Sequence, residues 1–194
     1  MQTSTGLLEQ VRDLTNRDAW GRLVTLYTPY LFGWLRRRLV PAQDADDLVQ
    51  EVLRVVAVEL PHFHHNHQVG AFRCWLRTIL AHRLRDHRRR ESTRSGVHGS
   101  NLLEALADQL EDDGSGVAVA WDREHDQQIV RRMLALIEAD FQPVTWRAFW
   151  LVVVEGNEPD AVAGKLNISV DSVYTAKSRV LKRLREQAGN FLDR

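Results

Sequence analysis

GNEPDAVAGKLNISVDSVYTAKSRVLKRLRE, residues 156–186, holds two short helical patterns separated by a turn. Glu158 with Pro159 opens the first, because proline suits the first helical turn, and the pattern stops at Leu166. Asn167 tolerates a left-handed turn, and Ser169 is placed to cap a last helix running to about Ala188. Pro159 to Leu166 and Val170 to Arg185, joined by Asn-Ile-Ser, thus have the dimensions of a helix-turn-helix. Val162, Ala163 and Leu166 would brace the pair and Val173 would lock the crossing. Asp171, Ser172, Tyr174, Thr175 and Lys177 would then be free to enter a major groove, with Arg179, Lys182 and Arg183 near phosphates. The competing reading is a plain helical hairpin with a solvated basic end.

Upstream, Pro143 to Glu155 forms the preceding helix, closed by Gly156 as a left-handed cap, and Ile129, Val130, Met133, Leu134 and Ile137 define a helix in a module beginning near Arg123. Before it, 91 to 121 mixes Ser, Gly and Asp with one weak apolar run at Leu102, Leu103, Leu106 and Leu110, which reads as a linker with one marginal helix. A long helix is expected over about Ala71 to Arg90. Phe72, Trp75, Leu76 and Ile79 gather on one side, and Arg73, Arg77, Arg85 and Arg88 fall in a neighbouring sector. Nearer the start, Trp20, Leu23, Val24, Tyr27, Leu31, Trp34 and Leu35 trace an apolar face. Pro29 predicts a break in it, with Thr28 capping the second piece. A further helix is expected from Asp44 to a stop before Pro61, with Asp46 and Asp47 near the positive end of its dipole. Apolar residues recur at three and four rather than two, so the expected class is all-α: two small helical domains, 1–91 and 123–194, joined by an acidic flexible linker, 92–122.

The chain of 194 residues is 44% hydrophobic with a formal net charge of zero, and the distribution of that charge is informative. Ala71 to Arg94 carries eight arginines against Asp86 and Glu91, while Glu104 to Asp126 carries eight carboxylates and only Arg123. Two basic blocks around an acidic one suggest two DNA-facing modules joined by a segment that stays off the DNA. Cys74 is the only cysteine, which rules out an internal disulfide and a thiolate-rich zinc site. With no apolar run long enough to span a bilayer, a cytoplasmic protein is expected.

The arginine-aromatic mix of 71–90 suits a separated DNA strand, held by stacking and phosphate contacts, although Phe72 and Trp75 lie on the packing side. Asp44, Asp46, Asp47, Gln50 and Glu51 make a polar face, read either as solvated or as a docking surface for a basic partner. His62, His64, His65 and His67 form a tract of a kind that can bind metal; lacking paired helical spacing, they are expected instead to lie beside bases or phosphates. No nucleophile elbow, phosphate-cradling glycine loop or paired catalytic carboxylates occur, so no enzyme activity, cofactor or metal is expected.

In order and spacing these segments resemble one family, the extracytoplasmic-function (ECF) group of bacterial sigma factors. AWGRLVTLYTPYLFGWLRRRL (19–39) followed by DADDLVQEVL (44–53) looks like regions 2.1 and 2.2, FRCWLRTILAHRLRDHRRR (72–90) like regions 2.3 and 2.4, and the stretch at 156–186 like region 4.2. The resemblance implies that Asp46, Asp47, Leu48, Gln50 and Glu51 dock onto the β′ clamp helices of core RNA polymerase. It implies that His64, His65 and Asn66, with Arg73, Arg77, Arg85, Arg88 and Arg89, open and hold the promoter's minus-ten element. Asp171, Ser172, Tyr174, Thr175, Lys177, Ser178, Arg179, Lys182 and Arg183 would read the minus-thirty-five element as duplex, in a domain that meets the polymerase β flap. The acidic segment would thread the polymerase channel used by nascent RNA. An anti-sigma factor is a further partner that the family admits. The rival expectation is a stand-alone helix-turn-helix regulator, with residues 1 to 90 as a sensing or dimerising domain.

Overall fold

A computed structural model of the chain describes residues 7–13, 15–63, 70–95 and 102–188. Among the described residues the regular structure is helical throughout, without a strand, as the apolar spacing predicts. Two compact units result, Leu7–Ile129 and Val130–Gly189. The first contains α1 (Leu7–Arg12), α2 (Arg17–Arg37), α3 (Ala42–Glu59) with a 3-10 turn at Leu60–His62, α4 (Ala71–Ser95), α5 (Leu102–Glu111) and the start of α6 (Gly116–Ile137). α2 packs on α3, α3 on α4 and α4 on α5.

Asn16 caps α2 by accepting the Ala19 amide at 3.1 Å, and the helix then runs unbroken through Pro29. The expected break and the Thr28 cap are therefore corrected. A proline inside a helix costs about 3 kcal/mol. Leu26, Tyr27, Tyr30 and Leu31, all buried beside it, contribute about 1.5–3 kcal/mol each for a fully buried large apolar side chain, so burial wins. The helix closes in a Schellman turn: Val40 N–H reaches Leu35 O and Leu39 N–H reaches Arg36 O. The left-handed position is filled by Leu39 at φ 65° rather than by glycine.

α3 starts at Ala42, slightly before the expected Asp44, and buries Ala45, Leu48, Val49, Val52 and Val56. Leu48 is fully buried, so it is not on the docking surface expected of it; it anchors α3 to the core while Asp46, Asp47 and Gln50 face outward. α4 is entered through Gly70 at φ 79°, where a Cβ would collide with the Arg73 guanidinium. It continues past the expected end at Arg90 to Ser95, with Phe72, Leu76, Ile79, Leu80 and Leu84 buried.

The largest departure from expectation is the acidic segment. Its weak apolar run is a full helix, α5, with Leu103, Leu106, Ala107 and Leu110 buried. Ser115 then caps α6, accepting the Ala118 amide at 3.0 Å, so α6 begins before the expected Arg123. Residues 102–129 are thus part of the first unit and are not a flexible linker.

In the second unit, α7 (Pro143–Val153), α8 (Pro159–Leu166) and α9 (Val170–Ala188) pack pairwise around Ala148, Leu151, Val162, Ala163, Val173 and Ala176. The turn chemistry follows the sequence. Gly156 has φ 74° and Asn167 has φ 52°, with Ile168 N–H closing on Ala163 O at 3.1 Å. Ser169 Oγ accepts the Ser172 amide at 3.1 Å, capping α9.

Candidate nucleic-acid interface

α4 carries Arg73, Arg77, Arg85 and Arg88 along one stripe, because steps of three and four residues return to one helix face. All four are held by carboxylates of the segment that follows. Arg88 pairs with Glu104, Arg85 with Asp108 (2.7 Å) and Glu111, and Arg77 with Asp113 and Asp122 (3.7 Å). Arg73 pairs with Asp122 (3.4 Å) and Asp126 (2.8 Å). As the arginine numbers fall, the carboxylate numbers rise, so the acidic chain runs antiparallel along the basic helix. The Arg85 hydrogen bond holds Glu111 below the usual carboxylate range. Arg89 is different: it pairs only locally with Asp86 and its side chain is 79% exposed. His64, His65 and Asn66, expected at the same element, lie outside the described residues, as does His67.

The far end of the acidic segment is anchored differently from its beginning. Trp121 is fully buried, packs edge-on against Trp34 (5.0 Å) and Tyr30 (5.2 Å), and donates Nε1–H to Arg73 O at 3.2 Å. One turn on, buried His125 lies 3.0 Å from Tyr27 Oη through Nε2 and 3.0 Å from Asp126 through Nδ1. Burial pushes the Tyr27 phenol well up and the His125 imidazole down. Tyr27 therefore donates to a neutral imidazole whose Nδ1–H is aimed at Asp126.

Acid should weaken this arrangement. The folded pKa of His125 is depressed, so below an unfolded value of about 6.5 the unfolded chain takes up a proton that the folded chain resists, and stability falls with pH. Asp126 acts in the same direction at lower pH: burial raises its pKa, but hydrogen bonds from His125 and Arg73 more than offset that and leave it lowered. The expected result is a lower urea midpoint at pH 5.5 than at pH 7.5, with the slope reduced in His125→Gln. An equal slope in that variant would contradict the assignment.

On α3, Asp46, Asp47 and Gln50 are exposed, and Glu51 is partly buried and paired with Arg90. His87 Nε2 sits 3.5 Å from Asp44 Oδ1. Asp44, His87 and Glu91 bring one potential ligand atom each within 4.8 Å of one another, the one such group found among the described residues. The pairing of Glu51 with Arg90 ties the acidic face of α3 to the basic helix, a link that the spacing within either helix does not reveal.

On α9, Asp171, Ser172, Tyr174, Thr175, Ser178, Arg179 and Lys182 are exposed and Lys177 is partly so. Ala176, Val173 and Val180 face inward, which leaves one continuous polar face. Thr175, Ser172 and Arg179 border an open groove between α9 and α7, floored by Ala148 and Ala176. Arg183 is engaged with Asp140 at 2.7 Å, a partner that the sequence reading missed.

Residues 23–94 match the family model for sigma-70 region 2. That span runs from within α2 through α4 and contains both the acidic face of α3 and the arginine stripe. No curated protein matches the chain. Among the described residues no helix is long and apolar enough to cross a membrane.

Proposed function

We propose that the chain is a sigma factor of the ECF kind: a non-enzymatic subunit that docks on core RNA polymerase and directs it to a class of promoters. The observation that carries this reading is the region 2 match over the same helices that present exposed Asp46 and Asp47 on one side and the arginine stripe on the other. In this reading α3 meets the β′ clamp helices through Asp46, Asp47, Gln50 and Glu51, and the second unit meets the β flap. The stripe of Arg73, Arg77, Arg85 and Arg88, with exposed Arg89 beside it, then holds the opened minus-ten strand. Capture of unpaired bases, at about 1–3 kcal/mol per stacked base, offsets the loss of pairing when several contacts act together.

The exposed polar face of α9 is supported as a duplex reader by its cap, its turn and its flanking basic residues. Lys177→Ala with Arg179→Ala should weaken binding to upstream duplex about tenfold or more in the polymerase complex, since each lost phosphate contact also flattens the salt dependence. Affinity for core polymerase itself should stay within about twofold. A footprint in which the upstream element remains protected as before would remove α9 from that role. A stand-alone regulator, by contrast, would bind the same duplex tightly without polymerase.

A further inference from the structure

We propose that α5 and the acidic turn after it form a displaceable latch on the nucleic-acid face of α4, so that a DNA strand and the chain's own carboxylates compete for the same arginines. The proposal rests on the reading of α4 as a strand-binding helix and adds to it an intramolecular competitor. Glu104, Asp108 and Glu111 stand on one face of α5, about 4.5–6 Å apart along its axis, which gives the arginines a ladder of anions as a polynucleotide backbone would. Together with Asp113 they engage Arg88, Arg85 and Arg77, three of the five arginines assigned to the strand.

The two ends of the acidic segment are built for different tasks. All four latch carboxylates belong to exposed residues, where water and salt weaken each ion pair. Gly114 follows them directly, and Ser115 starts a new helix, so α5 is joined to α6 by a short turn. Beyond that turn Trp121 and His125 are fully buried. The segment therefore has an aromatic anchor at 121–125 and an arm at 102–113 held by the apolar face of α5 together with exposed, salt-sensitive ion pairs. Arg89, outside the latch and exposed, is left to make the first contact with an incoming strand. Once phosphates occupy Arg85 and Arg88, α5 loses its ionic partners and is held only by the packing of Leu103, Leu106, Ala107 and Leu110.

The test uses the full chain and a short fluorescein-labelled single DNA strand, read by anisotropy across a salt series. Glu104→Gln, Asp108→Asn, Glu111→Gln and Asp113→Asn together should tighten binding about tenfold at low salt. Arg77 stays buried and paired with Asp122, so with Arg85 and Arg88 freed the plot of log affinity against log salt should steepen by about 1.4. A variant neutralised at four exposed carboxylates away from α4 (Asp18→Asn, Glu59→Gln, Glu138→Gln, Glu155→Gln) controls for net charge and should gain less than threefold. Hydrogen exchange on the wild-type chain supplies a readout free of mutation: amides of 102–111 should lose protection when the strand binds, while those around Trp121 keep theirs. Equal affinity of latch variant and wild type, with 102–111 still protected in the complex, would overturn the latch. The reading of α4 would survive that result if Arg85→Ala with Arg88→Ala still weakened binding. Failure of every chain to bind the strand, with or without core polymerase, would overturn both.

Discussion

Replacing Trp121 by alanine is expected to lower the stability of the first unit by about 3–5 kcal/mol, the usual cost of emptying a large buried aromatic site. The indole is fully buried against Trp34 and Tyr30, and its Nε1–H bond to Arg73 O is lost with it. With a whole unit stable by about 5–15 kcal/mol, most of the margin disappears. The measurement is urea unfolding, in which the midpoint should fall by about 1–3 M. Val119→Ala, two residues away and 59% exposed, should stay within about 0.5 kcal/mol. Were residues 116–129 a solvated connector, the two substitutions would behave alike.

Asp47→Lys with Glu51→Lys should weaken association with core polymerase by about 100-fold or more, because two charge complementarities become repulsions at an interface. Asp47 is exposed, so the fold should tolerate its reversal. Glu51 is held by Arg90, and lysine there places like charges together. Asp47→Lys with Gln50→Lys is therefore the cleaner partner experiment, since it leaves that pair intact. Co-elution with core polymerase under gentle ionic conditions reads both, and binding equal to wild type in the second variant would remove α3 from the docking role.

The parts of the molecule that could be read from sequence are those fixed by local chemistry. Gly156, Asn167 and Ser169 announce the helix ends of the second unit, since each satisfies a backbone requirement within a few residues of itself. Pro29 misleads because the same local rule is outweighed by the burial of its neighbours across the bundle. Leu48 misleads in another way: it sits between acidic residues in the chain, yet a turn of 100° per residue carries it inward. The acidic segment hides most. Its carboxylates and the α4 arginines each look solvated when viewed within their own helix, and only the antiparallel approach of α4 and α5 pairs them. Two signals were present: Leu103, Leu106, Ala107 and Leu110 recur at helical spacing, and Trp121 is too large an apolar residue to leave in a connector without cost.

The whole account requires that the chain confer promoter choice on an enzyme it does not itself supply. The direct measurement is reconstitution: core polymerase, a promoter library, and transcripts counted with and without the added protein. Initiation confined to a related set of sequences, appearing only when the chain is added and lost in the Asp47→Lys, Gln50→Lys variant, is the predicted result. Transcripts that start at the same places whether or not the chain is present would contradict it.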